Sequence, residues 1–536
     1  MIEGSTTEHS PADLALGSVM LAFDGLTVPP DVAERLRRAP AAGVTLFRFS
    51  NVSTPGQVRE LTAELRRAAT GPLLVAADHE GGQFLGLGEG TTPFAGNMAL
   101  GAVGDPELTA RVAAAMGVEC AAMGVDIDYA PVCDLATNPL NPAVGIRSFG
   151  DDPARVAEQV AAFVHGLQLV GVAAGLKHFP GLGGVVDDTH HRLAVLDVSL
   201  AELERHELVP FRAGIGARAR VVMSAHLAVP QVTGDPDLPS TLSAAVMTDL
   251  LRRRLGFDGV SITDALNMEA IPQGSGQVDA VLAALEAGVD LLLTAPDRDA
   301  RERIEHGLAD AAAGRGLDLD RLGRSADRVR RLIGWRAGFD QPDLDVVGSA
   351  GHAALAAELA RRSMTLVRDD EGHLPLRLDP TARILAVQPI PTDQTPADTS
   401  STVAPGLAAA LRRRHPTIDE IVVGHAPSSE EISAVRAAAL RSDLVIVGTT
   451  AALLEPAQAA LVAALLDAGP PVFTVALRTP FDLAAYPASR THISTYGILA
   501  PSLEALADAL FGDAGFGGRL PVAIPGLYPT GHGLTL

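Results

Sequence analysis

The chain has 536 residues and a formal net charge of −22, with 64 acidic side chains against 42 basic ones. That balance argues against nucleic acid or an anionic membrane surface as a partner, since both need basic patches. Two cysteines, Cys120 and Cys133, are too few for a disulfide framework or a thiolate zinc site and read as buried free thiols.

The first eleven residues hold no basic side chain and no apolar core, and no apolar run reaches membrane-spanning length without Gly, Pro or charge. A cytoplasmic protein is the expectation. Eight short apolar runs follow at 17–23, 43–49, 72–77, 125–132, 171–177, 220–225, 259–263 and 289–294. Helical patterns alternate with them, one opened by Asp152-Pro153, one by Ser199, and one by Ser243 that ends in Arg252-Arg253-Arg254. Eight buried strands with intervening helices in about 300 residues predict a (β/α)8 TIM barrel, with a doubly wound sheet as competitor. The placement of ionisable groups favours the barrel. Asp78 follows the third run, Asp134 the fourth, Lys177 the fifth, His226 the sixth and Asp264 the seventh, as when one barrel face assembles a site.

Beyond Trp335, residues 338–352 are rich in Asp, Pro and Gly and read as a linker between a barrel at 1–337 and a second domain at 353–536. Strands expected at 383–387, 420–423, 444–447 and 472–477, with helices at 430–441 and 455–468, make that domain a smaller three-layer α/β/α sandwich. Residues 389–403 read as a loop. The Gly-x-Gly pairs at 86 and 181 do not extend to a nucleotide fingerprint, and no cofactor is expected.

Residues 177–191 read Lys-His-Phe-Pro-Gly-Leu-Gly-Gly-Val-Val-Asp-Asp-Thr-His-His, and Lys177 is the only lysine in the chain. Arginine serves everywhere else, so this position calls for a compact point charge rather than a planar fork. Asp188 and His190 stand two apart, where extended backbone puts both on one side and lets the carboxylate tune the imidazole as a general acid–base. His178, His190, His191 and Asp188 are also metal-ligand types, a second reading without a recognised ligand spacing. Asp264 directly follows a buried strand, where an unpaired carboxylate is costly; it could be a nucleophile, a helix N-cap or a solvated loop acid. Asp78 and Arg147 lie in glycine-rich loops open to a ligand. A carboxylate nucleophile, a separate proton donor and a crowd of hydroxyl-binding groups make the set a glycosidase needs.

Those motifs resemble family 3 glycoside hydrolases, within them the two-domain β-N-acetylglucosaminidases. The resemblance rests on Asp78-x-Glu80-Gly-Gly, Gly145-x-Arg147-Ser-Phe, Lys177-His-Phe-Pro-Gly with Asp188-Thr-His190, Met223-x-Ala-His226, Thr263-Asp264-Ala-Leu-Asn-Met268 and Ala476-Leu-Arg-Thr-Pro480. It implies a retaining double displacement, with Asp264 as nucleophile and His190, paired with Asp188, as acid and base. Asp78, Arg147, Lys177, His178 and His226 would bind a terminal N-acetylglucosamine. The implied partner is a small carbohydrate, the chain a monomer or homodimer, and the setting cell-wall recycling. Phosphorolysis, a changed sugar specificity and a silent sugar-binding protein are the alternatives. Two departures stand out: Gln83 where the family commonly has Arg, and Leu182 where it has His, which together suggest a reshaped loop or leaving-group site.

Overall fold

The computed structural model describes residues 10–185, 192–314 and 316–536. All eight expected barrel strands form: β1 (Val19–Leu21), β2 (Gly43–Leu46), β3 (Leu74–Ala77), β4 (Ile127–Asp128), β5 (Ala173–Phe179), β6 (Val221–Ser224), β7 (Val260–Thr263) and β8 (Leu292–Leu293). They pair in parallel in the order β7-β6-β5-β4-β3-β2-β1-β8. The ring is brought to closure by the bridge Ile262↔Leu291 and the bond from Thr263 N to Leu291 O at 3.0 Å. The doubly wound alternative is thereby excluded, since an open sheet has two free edges.

Alternation along the strands divides the core. Met20, Ala76, Val221, Met223, Val260, Ile262, Leu291 and Leu293 fill the barrel, while Leu21, Val75, Val222 and Leu176 pack outward under the helices. Leu332 from the helix Leu319–Arg336 joins the inner cluster, with Trp335 packed against it. β4 is shorter than the expected 125–132 because Pro131 has no N–H for a ladder and Asp126 turns its carboxylate onto Val75 N at 2.9 Å. β2 stops at Leu46, and Arg48–Asn51 turns into a short helix at the rim.

The second domain is a six-stranded sheet with helices on both faces. Its strands are β9 (Thr365–Asp369), β10 (Ile384–Pro389), β11 (Ile418–Val423), β12 (Leu444–Thr449), β13 (Val472–Ala476) and β14 (Thr491–Ser494), in the order β9-β14-β13-β12-β10-β11. All pairs are parallel except β9 with β14. Successive residues serve opposite layers: Ile384 and Ala386 face one cluster, Leu385 and Val387 the other. β9 and β14 were not expected, because Thr-Leu-Val-Arg-Asp and Thr-His-Ile-Ser mix polar and apolar residues. His492 is held by its neighbour strand instead, with Thr474 Oγ1 meeting its Nδ1 at 2.8 Å.

The segment before the second domain is held to the barrel by Glu119, which accepts from Gly348 N at 3.1 Å and pairs with His352 Nδ1 at 2.7 Å. A helix then begins at Ala350, capped by the Ser349 hydroxyl. Asp151 fixes the far end, accepting from Ala523 N and the Thr530 hydroxyl at 2.8 Å each. No helix among the described residues is long and apolar enough to cross a membrane.

Candidate active site

At the C-terminal ends of β3 and β5, Lys177 is 1% exposed and places its Nζ 2.5 Å from Asp78 Oδ1 and 2.6 Å from Glu80 Oε1. Glu80 also receives Arg147 as a fork, Nη2 to Oε1 at 2.6 Å and Nε to Oε2 at 2.9 Å. Phe84 lies under that guanidinium at 4.7 Å. Burial raises the Glu80 carboxyl, but Arg147 and Lys177 outweigh it and bring its pKa down to about 2. Burial likewise disfavours the Lys177 ammonium, yet Asp78 and Glu80 hold its pKa above the ordinary lysine value. Two cations and two carboxylates thus form a closed network in which Asp78 alone is partly exposed, its side chain at 32%.

His178 follows Lys177 and is oriented from behind. Its Nδ1 lies 2.6 Å from Asp134 Oδ2, and its Nε2 is 3.4 Å from Arg147 Nη2. Asp134 also accepts from Leu182 N at 2.7 Å, so one buried carboxylate sets both the imidazole and the start of the glycine-rich loop. From sequence, Asp134 was counted only among the ionisable groups at strand ends and Glu80 only within a motif, and neither was given a role of its own. The usable signal was a carboxylate inside Asp78-x-Glu80-Gly-Gly for one and at the end of the fourth strand for the other.

Asp264 stands just beyond β7, with its backbone N–H on Ser224 O at 3.1 Å and its Oδ1 accepting from Ala265 N at 2.7 Å. The next helix starts only at Gly276, so Asp264 is not its N-cap. His226 is fully buried and is not in the cavity wall. Its Nε2 donates to Ala265 O at 3.2 Å and its Nδ1 meets Thr241 Oγ1 at 2.8 Å, so it supports the backbone beside Asp264. Asp188, His190 and His191 lie outside the described residues.

Asp78, Arg147, Lys177, His178 and Asp264 line one cavity of about 410 Å³. Its rim includes Phe47 to Ser50 from the turn after β2, and Pro396 and Ala397 from the second domain. The loop carrying those two residues is clasped by Arg478, whose Nη1 reaches Asp398 Oδ2 and Ser400 Oγ at 2.8 Å each. Neither departure residue lines this cavity. Gln83 is buried beside the second domain, and Leu182 packs into the apolar cluster outside the strands. Gly183 marks the tightest approach of the loop, where a β-carbon would lie 1.7 Å from Leu135 O.

The model of the glycosyl hydrolase family 3 N-terminal domain matches residues 18–332, and that of the family's C-terminal domain matches 364–528. Beta-hexosaminidase A of Pseudoalteromonas piscicida is 30% identical, covering 93% of this chain and 92% of its own. A Beta-N-acetylglucosaminidase/beta-glucosidase of Cellulomonas fimi is 30% identical, covering 92% of this chain and 91% of its own. The solved structure of a family 3 beta-N-acetylglucosaminidase from Paenibacillus sp. str. FPU-7 superposes with a TM-score of 0.90 at 33% identity, over 96% of this chain and 98% of that one. With both of its domains matched and its barrel closed around these residues, the chain is a glycoside hydrolase and belongs to glycosyl hydrolase family 3.

Proposed function

We propose that the enzyme is a retaining exo-β-N-acetylglucosaminidase that hydrolyses terminal β-linked N-acetylglucosamine. The observation that carries this reading is the meeting of Asp264 with the Asp78–Lys177–Glu80–Arg147 network on one cavity. Asp264 attacks the anomeric carbon and forms a glycosyl-enzyme. Asp78 accepts sugar hydroxyls, while Lys177, Arg147 and His178 donate to sugar oxygens in a part-enclosed site where such bonds count for more than in water. His190, charged through Asp188, protonates the leaving oxygen and then takes a proton from water. Its ordinary pKa near 6.5 suits that double task at neutral pH. The hexosaminidase and N-acetylglucosaminidase names of the relatives support the sugar.

A cytoplasmic setting and a place in cell-wall recycling belong to the same proposal. Cys120 and Cys133, both buried free thiols, fit a reducing compartment. The deciding experiment is turnover of aryl β-glycosides of N-acetylglucosamine, glucose and xylose, each with and without phosphate. Cleavage of the N-acetylglucosaminide alone, unaffected by phosphate, supports the reading. Acceleration by phosphate with release of sugar 1-phosphate replaces hydrolysis by phosphorolysis, preference for the glucoside replaces the sugar, and no turnover at all leaves a silent binder.

A further inference from the structure

The barrel's other end carries a second cavity. About 260 Å³ in volume, it is lined by Arg218, Arg220, Arg328, Arg331 and Asp258 on its polar side, and by Phe257 and Leu332 among its apolar residues. Arg220 immediately precedes β6 and Gly259 immediately precedes β7, so the cavity opens at the N-terminal ends of the strands whose C-terminal ends border the catalytic cavity.

Three of the arginines around this opening are paired. Arg328 and the adjacent Arg252 share Asp290, at 2.9 and 2.6 Å, and Arg331 reaches Asp258 at 3.1 Å. Arg218 and Arg220 form no ion pair among the described residues, in a chain with 64 acidic side chains. Arg220 stacks on the only tryptophan, its guanidinium carbon 4.4 Å from the Trp335 ring centre. Burial and the neighbouring Arg218 both lower its pKa.

Arg218 is also held in an unfavourable backbone conformation. The helix Leu208–Gly216 ends with Arg218 N on Ile215 O at 2.9 Å and Ala219 N on Gly214 O at 3.0 Å, and Arg218 occupies the left-handed position between them at φ 65. Glycine is the usual residue there, because it has no β-carbon to clash. This chain uses Gly124, φ 84, at the matching position after the helix Pro106–Ala122. Placing a long cationic side chain where glycine fits best indicates that the side chain itself is used.

We infer that this cavity binds a phosphate dianion, free or as the monoester of a small organic molecule, between Arg218 and Arg220. Two unpaired guanidiniums match two negative charges and offer planar forks to phosphate oxygens. Phe257 and Leu332 give the organic part of a monoester an apolar wall.

Calorimetric titration of the full chain with inorganic phosphate, and separately with phenyl phosphate, tests this. Saturable binding is expected, weakened by about tenfold or more in Arg218→Gly and in Arg220→Met, since each loses a charge-assisted contact. Arg218→Gly should melt no lower than the parent, because it relieves the left-handed backbone, so lost binding is not lost folding. Asp264→Ala and saturating N-acetylglucosamine should leave the binding unchanged. Tighter binding of phenyl phosphate identifies a monoester as the ligand, and equal affinity identifies free phosphate. Absent saturable binding, binding that survives both arginine changes, or binding displaced by N-acetylglucosamine each overturns the inference.

Discussion

Thr399 of the second domain donates both its backbone N–H and its hydroxyl to the carbonyl oxygen of Gln83 in the barrel, at 2.8 Å each. One carbonyl thereby ties the loop that carries Pro396 and Ala397 to the strand end that carries Asp78 and Glu80. The two domains meet at the rim of the catalytic cavity rather than only along their helices.

This contact makes Arg478 a positioning residue for a cavity it does not line. Arg478→Ala leaves the buried Asp398 carboxylate unpaired, a loss of about 3–5 kcal/mol if the loop stays folded. The loop is the cheaper element to release, so we expect KM to rise about tenfold with kcat within about twofold, because Asp264 is untouched. Arg478→Lys should recover part of the loss, keeping the charge without the fork. Steady-state kinetics with a thermal melt check both variants, and an unchanged KM would refute the role.

Lys177 tests the charge network. Lys177→Met removes the cation between Asp78 and Glu80 and leaves two carboxylates facing each other, so kcat/KM should fall about 100-fold or more. Lys177→Arg should fare little better. The side chain is 1% exposed, and a wider fork has no room between partners at 2.5 and 2.6 Å. Recovery of near-parental activity by Arg would show that only charge matters here.

The pH dependence of stability follows from two carboxyls with opposite shifts. Glu80 titrates near 2 when folded, against 4.5 ordinarily, so its contribution is present above 4.5 and is lost as pH falls from 4.5 towards 2, about 3 kcal/mol in all. Glu207 is the reverse case. Burial, with help from Asp134, lifts its pKa to about 8, so the folded chain keeps a proton that the unfolded chain releases, and stability declines as pH rises from 4.5 to 8. Glu207→Gln should therefore stabilise the protein at pH 7 by up to about 3 kcal/mol and flatten that limb, while Glu80→Gln should flatten the acid limb. Urea midpoints measured across the pH range separate the two.

Asp264→Ala should lower kcat by about 10⁴-fold or more while N-acetylglucosamine still binds, as expected when a covalent nucleophile is lost. His190→Ala should cost far more with a natural disaccharide than with an activated aryl glycoside, whose leaving group needs no proton. Equal losses on the two substrates would remove His190 from the acid role.

The eight barrel strands were legible because each falls in a short, mostly apolar run, and burial on both faces leaves little polar alternation to confuse the pattern. Asp264 and Lys177 were legible for the opposite reason: each is a charge at the end of such a run, and a charge there needs a partner or a task. The motifs around them carried the family. Tertiary structure alone decided how the charges pair. Arg147 finds Glu80 across 67 residues, Lys177 finds Asp78 across 99, and Thr399 finds Gln83 across 316. No local periodicity encodes such partners, because they are set by which strand ends the closed barrel brings together. The same holds for Pro396 and Ala397, two unremarkable loop residues that enter the cavity wall only because Arg478 and Gln83 hold their loop there. Sequence thus determined which residues carry charge at strand ends; the folded chain determined which of those charges pair with one another and that they line one cavity.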